Sequence, residues 1–414
     1  MAKLLIVTPF FPPSAASGSF RILGFAKHLP KFGWDVTVVS SGSRPWEAND
    51  PELINQIPPQ TSVRYVDFPL ERARLLWHQV LQRFRIKGCT DVWNRPALKE
   101  CRIAIEKDRT DVVLTSGPPH NVHLIGRSLQ RQYSLPWVAD FRDPWCSWGN
   151  ETPYFNNHFL LEHFWERSVF QRASMIVANT ENTARMFKEL FPGVADRIVA
   201  VPNGYDPMGM EPIAPERKHH ERFTLLHTGM IYAGRNPQPI VEALRQLTMK
   251  GGIHGKTPVL RLLGKCFDDS LRIDLERLGL LRWVEFADSV SYLEAAKEAR
   301  LSDMLVLLDS PGRRIGVPAK LYEYLGSCRP ILALSEKNSD SALVLQKSGV
   351  AHRVVSDFLD IEHLSEVIKN LAEETTAMRP AKDNSFLNSL TRESNAQKLS
   401  HALKSVMLHK NTIR

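Results

Sequence analysis

The sequence predicts an α/β protein built from two doubly wound, parallel-sheet domains in series. Three observations carry that prediction. Short apolar, β-branched runs alternate with helix-like stretches almost throughout, the signature of parallel strands covered on both faces. The alternation stops once, in "PNGYDPMGMEPIAPERKHHERF" (202–223), which holds four prolines, two glycines and a charge cluster. The chain has 414 residues, more than a single core usually supports.

The first series of strands is predicted at "KLLIVTP", "DVTVVSS", "VRYVDF", "DVVLTSG", "PWVADF", "SMIVANT" and "RIVAVPN". The second is predicted at "FTLLHTG", "PVLRLLG", "WVEFAD", "DMLVLLD" and "RPILALS". The expected organisation is a first domain over 1–202, a linker over 203–222 and a second domain over 223–385. A C-terminal helix over 386–414, apolar at helical spacing in "LTRESNAQKLSHALKSVML", is expected to pack back toward the first domain. The two domains are expected to face a cleft, because ligands of such folds bind beyond the carboxyl ends of the strands where strand order reverses.

Composition narrows the class. No run of about eighteen apolar residues occurs, so no transmembrane helix is predicted. The N-terminal "MAKLLIVTPFFPPSAASG" has an apolar segment of only about five residues, which suits a first buried strand better than a signal peptide. Cys89, Cys101, Cys146, Cys266 and Cys328 are odd in number and form no C-x-x-C pair. That argues against a disulfide framework or a zinc site and fits a reducing cytosol. The net charge of +8 admits nucleic acid, an anionic membrane surface or a phosphate-bearing substrate.

Chemistry is expected in the loops after the strands. In "HTGMIYAGRNPQPIVEALRQL" (227–247), Gly229 and Gly234 allow tight turning and Arg235 arrives at a helix start. A helix N-terminus with a fixed guanidinium is a ready phosphate site. The spacing superficially matches a P-loop, but Arg235 and Asn236 replace its lysine and Ser/Thr, which excludes that NTPase motif. An ordinary strand–turn–helix junction fits the same residues. In "IGVPAKLYEYLGSCRPILAL" (315–334), Gly316 permits close backbone approach and Pro318 suits a helix start. Lys320 and Glu323 share a helical face there. They suit a phosphate and sugar hydroxyls respectively, and equally a solvated ion pair.

In the first domain, "TPFFPPSAASGSFRILGFAKHL" places Gly18 among small polar residues, with Arg21 following. "TSGPPHNVHLIG" presents His120 and His123, and "WVADFRDPWCSW" presents Asp140, Arg142, Asp143, Trp145 and Trp148. Charges directly after a buried strand are costly unless paired or open to a ligand. Arg142 and Asp143 between tryptophans suit a sugar site, and structural pairing would account for them too.

Taken in order, "LLIVTPFFPP", "VADFRDPW", "VPNGYD", "HTGMIYAGRNP" and "VPAKLYEYLGSCRPILAL" resemble the two-domain GT-B glycosyltransferases, in particular bacterial family 4-like enzymes of surface-polysaccharide synthesis. The resemblance implies sugar transfer from a nucleotide-sugar donor with retention at the anomeric carbon. The donor would sit on the second domain, and a glycan or lipid-linked saccharide acceptor on the first. Arg235 and Lys320 would hold the donor diphosphate, with Gly229, Gly234 and Gly316 around it, and Glu323 would bind the ribose as the last residue of a Glu-x7-Glu motif. Gly18 matches a glycine loop approaching the donor phosphates. The sugar and acceptor side would fall to Arg142 and Asp143, with Arg21, His120, Asp140 and Trp145. Two positions depart from the family pattern: Ile315 stands where the first glutamate of Glu-x7-Glu belongs, and Ile240 where many relatives have lysine. No D-x-D occurs, so no metal or other cofactor is expected and cations must stabilise the leaving group.

"PLERARLLWHQVLQRFRIKG" (69–88) reads as a basic amphipathic helix, suited either to an anionic membrane surface or to packing on its own domain. A cytoplasmic location, peripheral at the inner face of the membrane, follows from the first choice. Nucleic acid is not expected, because the aromatics are not interleaved with the arginines as a stacking platform requires. A sugar-nucleotide 2-epimerase of the same fold, and a non-catalytic nucleotide-sugar-binding partner, remain as alternative readings.

Overall fold

The computed structural model describes residues 1–42, 49–68, 91–146, 159–207, 221–231, 235–266, 268–375 and 384–412. The chain divides into two compact units, Met1–Asn203 with Arg392–Arg414, and Gly204–Thr391. The basic stretch 69–88, most of the expected linker, Trp148 and Gly234 lie outside the described residues.

The first unit carries seven strands: β1 (Ala2–Val7), β2 (Trp34–Ser40), β3 (Ser62–Tyr65), β4 (Val112–Gly117), β5 (Trp137–Phe141), β6 (Met175–Ala178) and β7 (Ile198–Ala200). Every pairing is parallel, in the order β3-β2-β1-β4-β5-β6-β7. β4, β5 and β6 are buried at every position, which explains their nearly continuous apolar runs: both faces are covered. The pleat sends alternate residues to opposite sides. Leu5 and Val7 join Val113, Trp137, Phe141, Phe170 and Phe187 on one face. Leu4 and Ile6 join Val36, Val38, Leu114 and Val138 on the other.

That second face is closed by helix Ser17–His28 and by the long C-terminal helix Arg392–Thr412, whose Ala396, Leu399, Leu403 and Val406 belong to the same core. Trp34 Nε1 donates to Ser400 Oγ at 2.9 Å, fastening this helix to β2. The helix starts later than the expected 386. The residues before it form a separate short helix, Ser385–Ser389, and Leu387 and Leu390 pack with Tyr205, Tyr322 and Tyr324 in the second unit.

The second unit carries β8 (Arg222–Thr228), β9 (Thr257–Leu263), β10 (Val284–Ala287), β11 (Met304–Leu308), β12 (Ile331–Leu334) and β13 (His352–Val355). Its parallel order is β10-β9-β8-β11-β12-β13. The sequence reading did not include β13: "HRVV" begins with two polar residues and is only half-buried along most of its length, as an edge strand can be. In both sheets the order reverses beside the first strand of the unit, between β1 and β4 and between β8 and β11. Loops leaving those strand pairs diverge there, and the gap is where such sheets take ligands. Among the described residues no helix is long and apolar enough to cross a membrane.

Candidate functional site

In the second unit, β8 ends at Thr228 and the chain turns at Gly229 with φ of 96°, a conformation that favours glycine. A Cβ at this position would also stand 3.1 Å from Lys320 Nζ. Lys320 lies in the first turn of helix Ala319–Ser327, which follows β11 and starts after Pro318 with no side-chain cap. Uncapped N–H groups give that end of the helix a partial positive charge. Tyr324, one turn on, is buried; its hydroxyl accepts from Thr228 N (2.9 Å) and Thr228 Oγ1 (3.2 Å), locking the helix to the end of β8. Burial pushes that hydroxyl up to about 12.

Lys320 Nζ donates to His227 Nε2 at 3.0 Å. His227 has no exposed surface, and its Nδ1 meets the Val306 carbonyl at 2.9 Å. A carbonyl only accepts, so Nδ1 carries the proton and Nε2 presents its lone pair to Lys320. Burial drives the Lys320 ammonium down to about 7; the Arg235 charge adds to this and Asp309 partly opposes it. Burial and then Lys320 likewise hold His227 well below the usual imidazole range, so it stays neutral. Arg235 is buried, just before helix Gln238–Met249. Asp309 closes β11; it accepts from Ser310 N (3.0 Å) and Ser341 Oγ (3.2 Å) and faces Arg313 at 3.6 Å.

Two cationic side chains and a helix N-terminus thus converge at the strand-order reversal, with His227 in the role of acceptor. Positive charges that raise one another's cost are relieved by an anion, so the corner is suited to a phosphate or diphosphate. Glu323, partly buried, stands three residues beyond Lys320 on the same helix. Gly316, φ 86°, donates its N–H to Asp340 Oδ2 at 2.8 Å; that N–H holds the loop rather than awaiting a ligand. The Ile315 carbonyl accepts from Arg313 Nε at 3.2 Å.

The first unit spends its charges differently. Arg21 and Asp140 form a buried bidentate pair, Nε–Oδ2 3.0 Å and Nη2–Oδ1 2.7 Å. The other Arg21 donors go to Val201 O, Pro202 O and Asn203 Oδ1, and Ser116 Oγ donates to Asp140 Oδ2 at 2.7 Å. All five guanidinium N–H bonds are thereby used, which makes this pair a structural clamp with no donor left for a sugar. Arg142, also buried, donates from Nε to Gly117 O at 3.0 Å and from Nη2 to Pro118 O. A Cβ on Gly18 would sit 1.4 Å from Arg142 Nη1. The space beside Gly18 that a donor phosphate was expected to use is therefore filled by this guanidinium.

His120 stacks with Phe141 (5.5 Å), Trp145 (5.6 Å) and His123 (5.9 Å). Burial, then His123 and Arg142, push it well below its ordinary range. Burial and Arg142 take His123 to about 3; its Nδ1 meets Thr115 Oγ1, which also accepts from Trp137 Nε1, both at 2.8 Å. Both imidazoles are therefore neutral hydrogen-bonding groups. Asp143 and Trp145 follow on the same loop, each partly exposed.

Sequence reasoning missed His227, Asp309 and Tyr324. A single polar residue in an apolar strand, directly before a glycine turn, was the available signal for His227. Among the described residues, Cys146, His163 and Glu166 bring potential ligand atoms within 4.8 Å of one another. The fully buried Glu166 already accepts from Cys146 N at 3.2 Å and faces His163 at 3.7 Å.

Two parallel α/β sheets of seven and six strands, each reversing beside its first strand, define the GT-B class of fold. Residues 19–204, which fall almost wholly in the first unit, match the family model of the glycosyl transferase 4-like domain. No curated protein matches the chain by sequence. Among solved structures, sucrose-phosphate synthase from Thermosynechococcus elongatus is similar at TM-score 0.64 and 15% identity, covering 100% of this chain and 98% of that one. WaaG, a glycosyltransferase involved in lipopolysaccharide biosynthesis, is similar at TM-score 0.59 and 14% identity, covering 100% and 99%. UDP-GlcNAc 2-epimerase from Methanocaldococcus jannaschii is similar at TM-score 0.59 and 14% identity, covering 96% and 99%. At these identities the likeness is one of fold.

Proposed function

We propose that this chain is a glycosyltransferase that moves a sugar from a nucleotide-sugar donor, held on the second unit, to a glycan or lipid-linked saccharide of a bacterial surface polysaccharide. The observation that carries the reading is the corner formed by Arg235, Lys320 and His227 at the β8/β11 reversal. The 4-like domain match over residues 19–204 supports the reaction class, and the likeness to WaaG supports the acceptor class.

Breaking a bond between a sugar and a nucleoside diphosphate develops negative charge on the departing phosphate. Fixed cations aimed at that charge lower the barrier, each by roughly 2–4 kcal/mol if they compare with lost oxyanion donors. Arg235, Lys320 and the N-terminus of helix Ala319–Ser327 supply this charge without a metal, and Glu323 takes the ribose hydroxyls. Retention at the anomeric carbon belongs to the same reading and rests on the family resemblance. Arg142, Asp143, His120 and Trp145 supply the sugar and acceptor side.

The test is incubation with UDP-, GDP-, dTDP- and ADP-sugars and candidate acceptors, with products identified by mass spectrometry. Glycosylated acceptor is the expected product. Epimerised free donor would establish the 2-epimerase reading that the likeness to the M. jannaschii enzyme keeps in view. Binding with neither hydrolysis nor transfer would point to a non-catalytic partner disabled at Ile315. Membrane contact through 69–88 belongs to the same proposal. Flotation with anionic vesicles should be lost in the Leu76→Glu, Trp77→Glu protein.

A further inference from the structure

His227 occupies a position in β8 where its neighbours Leu225 and Leu226 are apolar, and it is as buried as they are. An imidazole there is costly to bury unless both nitrogens are satisfied. They are satisfied by one backbone acceptor, Val306 O, and one side-chain donor, Lys320 Nζ. The first contact fixes the tautomer, and the tautomer leaves Nε2 able only to accept. Protonating His227 would set a third positive charge against Lys320 and Arg235 with no water to screen it. The ring is thus a permanent acceptor, and among the described residues it is the only hydrogen-bond partner of Nζ.

The geometry points to His227 as a positioning residue of the donor site, anchoring Lys320 Nζ at the end of β8 so that its remaining N–H donors are left for a diphosphate. This rests on the donor site proposed above. The groups around Nζ are His227 from β8, Arg235 from the loop after it and Asp309 from the end of β11, itself paired with Arg313. Glu323 lies one turn further along the lysine's own helix. Only Asp309 among the first three favours the ammonium, and burial with Arg235 outweighs it, holding Lys320 near 7.

A diphosphate reverses that balance. The neutral amine takes one proton from solvent and becomes an ammonium paired with a phosphate oxygen, with no other bond made or broken. The sign follows by linkage: above pH 7 the ligand-free amine is largely neutral and the bound form is charged, so binding takes up protons. Affinity then falls as pH rises, approaching tenfold per unit where uptake is complete. Below about pH 6 the ammonium exists before binding and uptake by the lysine vanishes.

The experiment titrates UDP, GDP, ADP and dTDP into the full chain by calorimetry, at pH 6 and pH 8, in two buffers of different ionisation enthalpy. For the diphosphate that binds, the wild type should take up close to one proton at pH 8, whereas at pH 6, with the lysine already charged and the ligand's terminal phosphate partly protonated, uptake should give way to partial release. His227→Leu should weaken binding at pH 8 at least about tenfold. His227→Gln, whose amide can donate to Val306 O and accept from Lys320, should restore affinity to within about threefold. Absence of proton uptake in the wild type at pH 8 overturns the inference while leaving the donor site standing. So does a folded His227→Leu protein with wild-type affinity and pH profile. A wild type that binds none of the four diphosphates overturns both.

Discussion

The β1/β4 reversal in the first unit and the β8/β11 reversal in the second are the same topological feature, yet their charges are arranged in opposite ways. In the first unit, Arg21 is consumed by Asp140 and three chain oxygens, and Arg142 donates to the carbonyls of Gly117 and Pro118. In the second, Lys320 and Arg235 crowd one another and the ammonium is held near 7. The first pattern pairs its charges within the chain, and the second sets two cationic groups against one another, a strain that an anion would relieve. Position at a strand-order reversal therefore does not make an arginine a ligand-binding residue; what decides is where its donors already point.

The comparison breaks most readily at its structural pole. Arg21→Ala leaves Asp140 a buried carboxylate without its counter-charge and with the Ser116 hydroxyl as its remaining donor, so unfolding free energy in urea should drop by about 3–5 kcal/mol; a loss below about 1 kcal/mol would show that the pair is no clamp. At the functional pole, Arg235→Ala and Lys320→Ala should each lower sugar transfer about a hundredfold in proteins that still fold. Near-normal turnover in both would contradict the donor-site assignment. Gly18→Ala sharpens the contrast, since its Cβ must displace the Arg142 guanidinium. The expected cost is about 1–3 kcal/mol of stability, read from the denaturation midpoint, and an unchanged midpoint would show that the side chain yields freely. Tyr324→Phe leaves Thr228 N–H without its acceptor and should cost about 1–3 kcal/mol, visible as faster amide exchange at Thr228.

Much of the fold was legible because burial imposes a local pattern. Runs such as "LLIV", "VVLTSG" and "MIVA" need both sheet faces covered, and the helical spacing of Ala396, Leu399, Leu403 and Val406 announces a packed helix. β13 escaped because an edge strand beginning with His352 and Arg353 carries little of that pattern. Glycine and cation placement at strand ends singled out Gly229, Arg235 and Lys320, and the structure brings all three together. What stands beside Gly18 is contained in no local window: Arg142 arrives there from the end of another strand. The Arg21–Asp140 pairing spans 119 residues, and the sequence says only that a charge after a buried strand must be paired or open to a ligand, without naming its partner. His227 looks, as a lone histidine in an apolar run, like any buried histidine; only its two contacts, to Val306 O and to Lys320, distinguish it.

The corner of Arg235 and Lys320 is proposed to hold the diphosphate of a nucleotide-sugar donor. Its most direct test is calorimetric titration of UDP-, GDP-, dTDP- and ADP-sugars into the wild type and into Lys320→Ala at pH 6.5. One sugar nucleotide should bind the wild type, and the variant, still folded, should bind it at least about tenfold more weakly. Equal affinity in the two proteins would contradict it.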